Sequence, residues 1–373
     1  MNAAGLYVHI PFCLTRCGYC DFNTYAGLDH LAGEYVEALC READVWAPEW
    51  EEARYASLFL GGGTPTTLPT PMVVKLLDHL RAAFAFMDEA EVTSEANPDT
   101  VDQSSLRGLL AGGVTRLSIG VQSFDPTVLT ALERLHSPEA ALKAFAAARG
   151  AGFANVNLDL IYGADGESLG SWERTLRKTV ELSPEHLSCY ALTIEPSTPL
   201  GRKVRAGLVP PPDPDLQADM YEMACGMLGA AGYEHYEVSN WARPGFRCGH
   251  NTGYWQERPY LGLGAGAHSY REGARWWNLR PPQQYMAMVM AERKPVGGEE
   301  LLTEEEQGLE RLLLGLRMAD GIAEDITDPG RVEFLVADRL ARRAGGRIAL
   351  TERGLFMANE IVLELADSHP QDP

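Results

Sequence analysis

The chain has 373 residues, of which 45% are hydrophobic, and its formal net charge is −20 at pH 7. This length suffices for one large domain with a smaller one, or for two to three domains. The negative charge argues against tight non-specific binding of nucleic acid, which depends on Lys and Arg side chains that neutralise phosphates. No apolar run is long enough to span a membrane, and the start of the chain lacks a secretory signal. Because the seven cysteines show no disulfide-framework spacing, we expect a cytoplasmic protein.

Three of the cysteines, Cys13, Cys17 and Cys20, lie close together in one loop. The apolar stretch 6–10 before them predicts a short buried strand, and Pro11 ends its pairing because proline has no N–H. A tetrahedral zinc site usually takes four protein ligands in two separated pairs, and the other cysteines occur singly. Three close thiolates suit an iron–sulfur cluster with one iron left open. The alternative is three thiols that hold no metal.

Further along the chain, short apolar segments alternate with amphipathic ones. The predicted strands are 57–60, 91–95, 115–121, 154–162 and 186–192, and the predicted helices are 30–46, 71–86, 101–110, segments up to 149, 168–182 and 214–230. This alternation indicates parallel βα units, which form a barrel or, as the competing architecture, a doubly wound sheet. In both folds the site is expected at the carboxyl ends of the strands.

Residues with special chemistry occur at those predicted strand ends. The glycines 61–63 allow a ligand to approach the backbone, with exposed N–H groups and a carbonyl, although a tight turn is the alternative. The segment lacks the lysine of a phosphate-binding loop, so the ammonium group of a free amino acid, held by carbonyls and Thr64, fits better. Polar side chains suited to ribose hydroxyls or to a carboxylate follow at other strand ends: Glu95, Gln122, Arg134 and Asp159. Each of these alone could equally be a solvated or capping residue.

The last segment, about 300–373, has the pattern of a separate small domain. Thr303 and Glu306 form a capping-box pattern before a helix whose apolar face includes Leu309, Leu312, Leu313 and Leu316. A second helix is predicted at 331–343, a turn and strand at 345–351 and a last helix at 354–366, which together suggest a winged-helix-like shape. Residues 301–373 contain 15 Asp and Glu against 8 Arg and no Lys. DNA binding is therefore not expected, and packing or partner docking is the better interpretation.

The cysteine loop, read with these segments, resembles the radical S-adenosylmethionine (SAM) superfamily. Cys-x3-Cys-x2-Cys, with Tyr19 before the last cysteine, is the signature of that superfamily. Segments 7–13, 61–66, 120–124 and 159–163 resemble the branch that contains oxygen-independent coproporphyrinogen III oxidase, and the resemblance extends almost from end to end. It implies an α/β fold: a partial (β/α)6 TIM-like barrel with a smaller C-terminal α+β, winged-helix-like domain. The expected bounds are 1–235 for the core, 236–300 for a connecting region and 301–373 for the small domain.

The same resemblance implies two cofactors, a 4Fe-4S cluster and SAM. Cys13, Cys17 and Cys20 would hold the cluster, whose open iron would chelate the amino and carboxylate groups of SAM. One electron would then cleave the sulfonium to methionine and a 5′-deoxyadenosyl radical. The positions that match the SAM-binding ones of the branch are Tyr7, Tyr19, Gly62, Gly63, Thr64, Glu95, Gln122, Arg134 and Asp159.

Two features within this branch point to heme. Phe22 stands where the porphyrinogen oxidases have another cysteine, and Cys248-Gly249-His250-Asn251-Thr252-Gly253-Tyr254-Trp255 resembles the His-Asn-x-x-Tyr-Trp segment of the HemW-type heme chaperones. A histidine can ligate heme iron, and Tyr254 and Trp255 offer flat apolar surface. The alternative is a glycine-rich loop that packs an aromatic cluster, with His250 merely hydrogen-bonded. His9, His268 and Cys248 are other candidate ligands.

The expected function is therefore that of a heme chaperone that binds heme and hands it to an acceptor protein. The expected partners are heme, an unidentified acceptor and an electron donor for the cluster. The scaffold is capable of reductive SAM cleavage, so enzymes remain as alternatives: a coproporphyrinogen III dehydrogenase, or a radical SAM enzyme that transfers a methyl group to heme or opens its ring. A structural iron–sulfur protein without SAM chemistry is a further alternative. No catalytic residue is assigned.

Overall fold

The computed structural model describes residues 3–366 of the chain. Residues 1–2 belong to the segment for which no secretory signal is predicted, and residues 367–373 belong to the predicted small domain. Both stretches lie outside the described residues.

The strands and helices are numbered here in chain order. The strands are β1 (Ala4–Ile10), β2 (Phe12–Cys13), β3 (Tyr25–Ala26), β4 (Tyr55–Gly62), β5 (Phe86–Ala96), β6 (Arg116–Gln122), β7 (Val156–Tyr162), β8 (His186–Ala191), β9 (Glu234–Glu237), β10 (Asn240–Ala242), β11 (Tyr260–Leu263), β12 (His268–Arg271), β13 (Ala274–Asn278), β14 (Val296–Leu301), β15 (Ile322–Ala323), β16 (Ala341–Ala344) and β17 (Arg347–Leu350). The α-helices are α1 (Ala32–Trp46), α2 (Thr70–Ala83), α3 (Gln103–Ala111), α4 (Pro126–Ala131), α5 (Pro138–Ala151), α6 (Leu169–Leu182), α7 (Pro199–Arg205), α8 (Pro214–Ala230), α9 (Gly249–Trp255), α10 (Pro282–Met290), α11 (Glu304–Gly315), α12 (Pro329–Ala337), α13 (Glu352–Leu355) and α14 (Ala358–Ala366).

Six parallel strands form the centre of a 12-stranded sheet, in the order β1-β4-β5-β6-β7-β8. Helices connect successive strands, as βα crossovers require. At one edge β11 pairs parallel with β1, and β12, β13 and β14 continue antiparallel. At the other edge β10 and β9 pair antiparallel with β8. The sheet is thus open, and the predicted partial (β/α)6 barrel is confirmed.

Apolar burial and helix caps explain why these residues form these elements. The β1 side chains Leu6, Val8 and Ile10 are all buried, as are Tyr35 and Leu39 on the inner face of α1, so the strands carry the nearly continuous apolar runs typical of a covered parallel sheet. Several N-caps are short polar residues whose side chains accept a backbone N–H, among them Asp102 of α3, Ser137 of α5 and Ser168 of α6. Each such cap contributes about 1 kcal/mol.

The C-terminal segment has its own hydrophobic cluster, which includes Leu316, Val332, Ile348 and Ile361. Helices α11, α12 and α14 pack with the three-stranded sheet β15-β17-β16, in keeping with the predicted winged-helix-like shape. The capping box of Thr303 and Glu306 at the start of α11 is present.

Two predictions for this segment are wrong in detail. The helix expected at 331–343 ends at Ala337, because Arg339 takes a positive φ of 60° and residues 341–344 pair with β17 across a turn at Gly345 and Gly346. The last helix, expected at 354–366, is divided into α13 and α14.

Several elements between residues 190 and 301 were not predicted. Helix α7 follows the N-cap Thr198 in a stretch whose sequence predicts a Pro-rich linker. Strands β11–β14 continue the barrel sheet. The predicted domain bounds at 235/236 and 300/301 stay a prediction. None of the helices within residues 3–366 is both long and apolar enough to cross a bilayer.

Candidate functional site

Two adjoining cavities open at the carboxyl ends of the parallel strands. The smaller one, which we call the loop cavity, measures about 490 Å³ and is lined by the cysteine loop. The larger one, the aromatic cavity, measures about 860 Å³ and extends from β1 to the antiparallel strands β11–β13. Asp21, Phe22, Gly62 and Glu95 line both. A ligand in one cavity would therefore be separated from a ligand in the other by a single shared wall.

The three loop cysteines all face the loop cavity as free, partly exposed thiols. Cys13 Sγ lies 3.7 Å from Thr64 Oγ1, and Arg134 Nη1 donates to Cys17 Sγ at 3.4 Å. Burial raises the pKa of Cys13 and of Cys20, and negative charge on the neighbouring thiols raises it further. Three thiolates are thus costly here without a cation among them, which fits the donor set of an iron–sulfur cluster.

The loop conformation depends on hydrogen bonds to its own backbone. Arg16 Nη2 donates to the carbonyls of Cys20 and Phe22 at 3.2 and 3.3 Å, and Cys20 N donates to Cys17 O at 3.1 Å. Within residues 3–366 no three His, Cys, Asp or Glu side chains converge on a single metal ion.

The glycine segment after β4 extends the strand pairing instead of presenting its amides to a ligand. Gly62 N donates to Glu95 Oε2 at 3.1 Å, Gly63 N to Ile10 O at 2.8 Å and Thr64 N to Phe12 O at 2.8 Å. The prediction of exposed N–H groups here is wrong, because these amides are already bonded within the protein. Gly62 has a φ of 107°, and a Cβ there would overlap the ring of His9. Only glycine fits that position.

Two carboxyl groups lie close together in the loop cavity, Glu95 and Asp159. Burial, followed by the charge of Asp159, raises the pKa of Glu95 to about 8. Burial also raises the pKa of Asp159, although Ser118 Oγ and Asn157 Nδ2 donate to its carboxylate at 2.8 and 2.9 Å. An ammonium group or hydroxyl donors from a ligand would relieve this cost, as the predicted amino-acid and ribose contacts require.

Gln122 and Arg134 are held in place by local backbone features of β6 and α4. Gln122 has a φ of 64°, which is uncommon outside glycine, where β6 is irregular beside β7. Arg134 Nη2 donates to Gly120 O at 3.1 Å, and its guanidinium lies beside Tyr19 and Cys17. The guanidinium is thus fixed next to the cysteine loop. Its hydrogen-bond partners are a thiol and a carbonyl, so no carboxylate among them compensates its charge.

The structure brings together all but one of the predicted SAM-binding residues. The residues that line the loop cavity are Tyr19, Gly62, Gly63, Thr64, Glu95, Gln122, Arg134 and Asp159. Tyr7 instead lines the aromatic cavity, where its hydroxyl bonds to His9 Nδ1 at 2.9 Å. These assignments remain predictions, now supported by a common location.

His250 lies inside the barrel, with both ring nitrogens hydrogen-bonded. Its Nδ1 is 2.8 Å from Ser57 Oγ, its Nε2 is 2.8 Å from the hydroxyl of Tyr254, and its ring stacks on Phe59 at 5.1 Å. Burial lowers the pKa of His250 to about 3. In this conformation no ring nitrogen is free for iron, so heme ligation by His250 would require these bonds to break.

The other predicted heme contacts divide between the cavity and the core. Tyr254 lines the aromatic cavity. Trp255 packs against the cluster of Tyr236 and Met318. Cys248 is fully buried, its Sγ lies 3.4 Å from Glu91 Oε1, and burial raises its pKa to about 12. Neither Trp255 nor Cys248 lines the aromatic cavity.

The aromatic cavity contains residues that the sequence did not single out. They are Tyr270, Arg275, Trp277 and Arg280. The first three belong to a segment rich in aromatic and polar residues, 268–278, which is compatible with a strand pair that has one face on a cavity. His268, an alternative heme ligand, also lines this cavity.

The comparisons with known proteins agree with this geometry. Residues 7–179 match the Radical SAM superfamily model. The chain is 41% identical over 367 residues to a heme chaperone HemW of Mycobacterium tuberculosis, covering 97% of this chain and 94% of that protein. It is 36% identical to the heme chaperone HemW of Escherichia coli over 97% of this chain and 98% of that one. The HemW of Bacillus subtilis is 34% identical over 95% of this chain and 97% of its own length.

The solved structure of coproporphyrinogen III oxidase (HemN) from Escherichia coli, described as a radical SAM enzyme, superposes with a TM-score of 0.84. It is 26% identical and covers 99% of this chain and 91% of its own. The fold is thus shared with a porphyrinogen enzyme, whereas the sequence is more similar to the three chaperones.

Proposed function

The chain belongs to the HemW family of heme chaperones, and on that premise we propose that it binds heme and transfers it to an acceptor protein. The observation that carries this proposal is identity of 34–41% to proteins named heme chaperone HemW over nearly their whole length. A second large cavity beside the cysteine loop supports it, because SAM alone would not use both.

In this proposal the loop cavity holds a 4Fe-4S cluster on Cys13, Cys17 and Cys20. When bound, the cluster and SAM supply one-electron chemistry at the shared wall of the two cavities. Arg134 binds the carboxylate of SAM, because its guanidinium is fixed beside Cys17. Glu95 and Asp159 accept hydrogen bonds from the ribose or the ammonium group, because such donors would compensate the burial that raises the pKa of both carboxyls.

The proposal includes an electron donor for the cluster and a cytoplasmic location. All seven cysteines, which lie within the described residues, are free thiols. A reducing compartment keeps them so, and a cluster needs them reduced. The exposed rim of the loop cavity, with Leu14, Phe22 and Leu135, leaves the cysteine loop accessible to a donor protein.

The proposal is tested by anaerobic reconstitution of the full chain followed by heme titration. We expect a Soret band that saturates at a fixed heme-to-protein ratio, and transfer of this heme to added apomyoglobin faster than the spontaneous release from a heme-binding control such as albumin. Heme that does not bind, or that binds and cannot be transferred, would contradict a chaperone.

A coproporphyrinogen III dehydrogenase is the second candidate, favoured by the structural similarity to HemN. Phe22, 64% exposed at the wall between the cavities, counts against it, because the oxidases of the resembled branch have a cysteine there. The same reconstituted protein is incubated anaerobically with coproporphyrinogen III, SAM and a reductant. We expect no protoporphyrinogen IX; its stoichiometric formation would replace the chaperone by the enzyme.

A further inference from the structure

The aromatic cavity has a flat wall made from the face of the sheet. In β12 and β13, His268 is paired with Trp277 and Tyr270 with Arg275, and Tyr260 of β11 is paired with Tyr270. Side chains alternate along a strand, so these residues share one face. The rings of His268 and Trp277 stack at 5.7 Å with an angle of 28°.

Glycines keep this wall open. A Cβ at Gly298 of β14 would overlap the indole of Trp277, and a Cβ at Gly262 of β11 would overlap the backbone at His268. The indole can therefore lie flat on the neighbouring strand instead of projecting into the cavity.

Of the histidines that line the aromatic cavity, His268 is the one with free ring nitrogens. The Nδ1 of His9 bonds to Tyr7, its Nε2 bonds to Asn23 O at 2.9 Å, and burial lowers its pKa to about 4. By contrast, the ring of His268 makes no hydrogen bond within residues 3–366 and is exposed to the cavity. Burial and the charges of Arg280 and Arg275 lower the pKa of His268, so its imidazole is neutral and carries a lone pair at neutral pH.

Arg280 supplies an uncompensated positive charge at the same cavity. Arg275 is paired with Glu310 of α11 and lies 4.0 Å from Glu300. The guanidinium of Arg280 has no acidic partner and no hydrogen bond among the described residues, and its charge acts on both His9 and His268. A carboxylate on the ligand would compensate this charge.

We propose that heme binds in the aromatic cavity, with His268 as the axial ligand of the iron and its ring edge-on to the macrocycle, Trp277 stacked on that imidazole and Arg280 paired with a propionate. The neutral imidazole matches the iron of heme and the free guanidinium matches its carboxylates. This assignment rests on the proposed chaperone function. It places the heme across the wall of Phe22, Gly62 and Glu95 from the cysteine loop.

The test is heme titration of the reconstituted full chain and its variants. We expect His268→Ala to weaken ferric heme binding about tenfold and to move the Soret band, and added imidazole to restore the wild-type spectrum. Iron-free protoporphyrin IX should bind wild type and His268→Ala equally, because it has no iron to ligate. The matched control is His79→Ala, since His79 lies on α2 away from both cavities and bonds to Asp44.

Arg280 is tested with a second pair of ligands. We expect Arg280→Ala to weaken heme binding about fivefold, while heme dimethyl ester, which lacks the carboxylates, binds this variant and the wild type equally. Arg293→Ala, an exposed arginine outside both cavities, should behave as wild type.

The outcomes separate the two proposals. Saturable heme binding by wild type with an unchanged spectrum in His268→Ala overturns the aromatic-cavity site but leaves the chaperone function intact. If wild type binds no heme, the chaperone function itself fails. Circular dichroism and thermal unfolding identify any variant whose loss of binding comes from loss of the fold.

Discussion

The loop cavity and the aromatic cavity share a wall but are assembled in different ways. The loop cavity collects side chains from the carboxyl ends of successive parallel strands, so each strand contributes one or two residues at a position that topology fixes. The aromatic cavity is made by an antiparallel extension, β11–β13, together with residues of α11 such as Glu310. The first suits a cofactor that many strands position, and the second suits a large ligand bound beside one aromatic face.

The two histidines His250 and His268 show the same contrast at the level of single residues. His250 belongs to the motif segment but serves as a core residue, bonded to Ser57 and Tyr254. His268 stands in a short strand with no bonded partner for its ring among the described residues. A motif histidine can therefore contribute to heme binding through packing, by fixing Tyr254 at the edge of the aromatic cavity, without touching iron.

The largest expected effect is the loss of the cluster from the loop cavity without loss of heme binding in the aromatic cavity. Cys17→Ser should abolish reconstitution of the cluster, because it removes one of three thiolate ligands, yet leave heme binding in the aromatic cavity within about twofold of wild type. Iron and sulfide analysis and heme titration measure the two properties. Cys40→Ser, at a buried cysteine of α1 that lines neither cavity, is the control and should reconstitute normally. Parallel loss of heme would contradict independent sites.

The next effect concerns stability. His250→Ala should lower the free energy of unfolding by about 2–4 kcal/mol, because it removes two buried hydrogen bonds and a ring stacked on Phe59. Urea unfolding measures it. His79→Ala, which breaks an exposed pair with Asp44, should cost about 1 kcal/mol or less. Equal stability of His250→Ala and wild type would show that His250 is not the core residue described here.

Arg134→Ala should weaken SAM binding by about tenfold, because it removes a guanidinium placed for a carboxylate. Arg134→Lys should fall between this variant and wild type, since it keeps the charge but loses the two-point contact with Cys17 and Gly120. Calorimetric titration with SAM on the reconstituted protein measures both. Arg107→Ala on α3 is the control. If Arg134→Ala lost heme affinity as strongly as SAM affinity, the assignment of Arg134 to the SAM site alone would be contradicted.

The smallest effect is the pH dependence caused by Glu95. Its pKa is about 8 in the folded protein against an ordinary 4.5, so the folded state holds the proton more tightly than the unfolded state does. The corresponding stability is present below pH 4.5 and is lost as the pH rises through about 8. Without cofactors, the melting temperature of Glu95→Gln should therefore be close to that of wild type at low pH and higher than that of wild type at pH 9.

Scanning calorimetry of the cofactor-free protein across this range checks the Glu95 prediction. Glu34→Gln, an exposed change in the first turn of α1, is the control and should show no such divergence with pH. A constant difference in melting temperature between Glu95→Gln and wild type at all pH values would mean that the carboxyl is not buried in the protonated form.

Sequence alone determined the barrel and most of the loop cavity for a local physical reason. Apolar runs such as 6–10 and 156–162 must be buried, helices must cross over between parallel strands, and the polar residues that follow must then meet at one end of the barrel. Short spacing brings Cys13, Cys17 and Cys20 together whatever the rest of the chain does. The predicted cofactor residues therefore share a cavity, with Tyr7 beyond its wall.

Only the tertiary structure decided which histidine has ring nitrogens free of hydrogen bonds, and that a second cavity lies beside the cysteine loop. His250 and Ser57 are far apart in sequence, and β4 and α9 bring them within 2.8 Å. Arg275 is paired with acidic residues that α11 and β14 provide, whereas Arg280 has no acidic partner among the described residues. Such partners come from non-local pairing and packing, which periodicity and spacing do not encode. The cysteine loop follows from local sequence, whereas the aromatic cavity follows from contacts that form only when the sheet is complete.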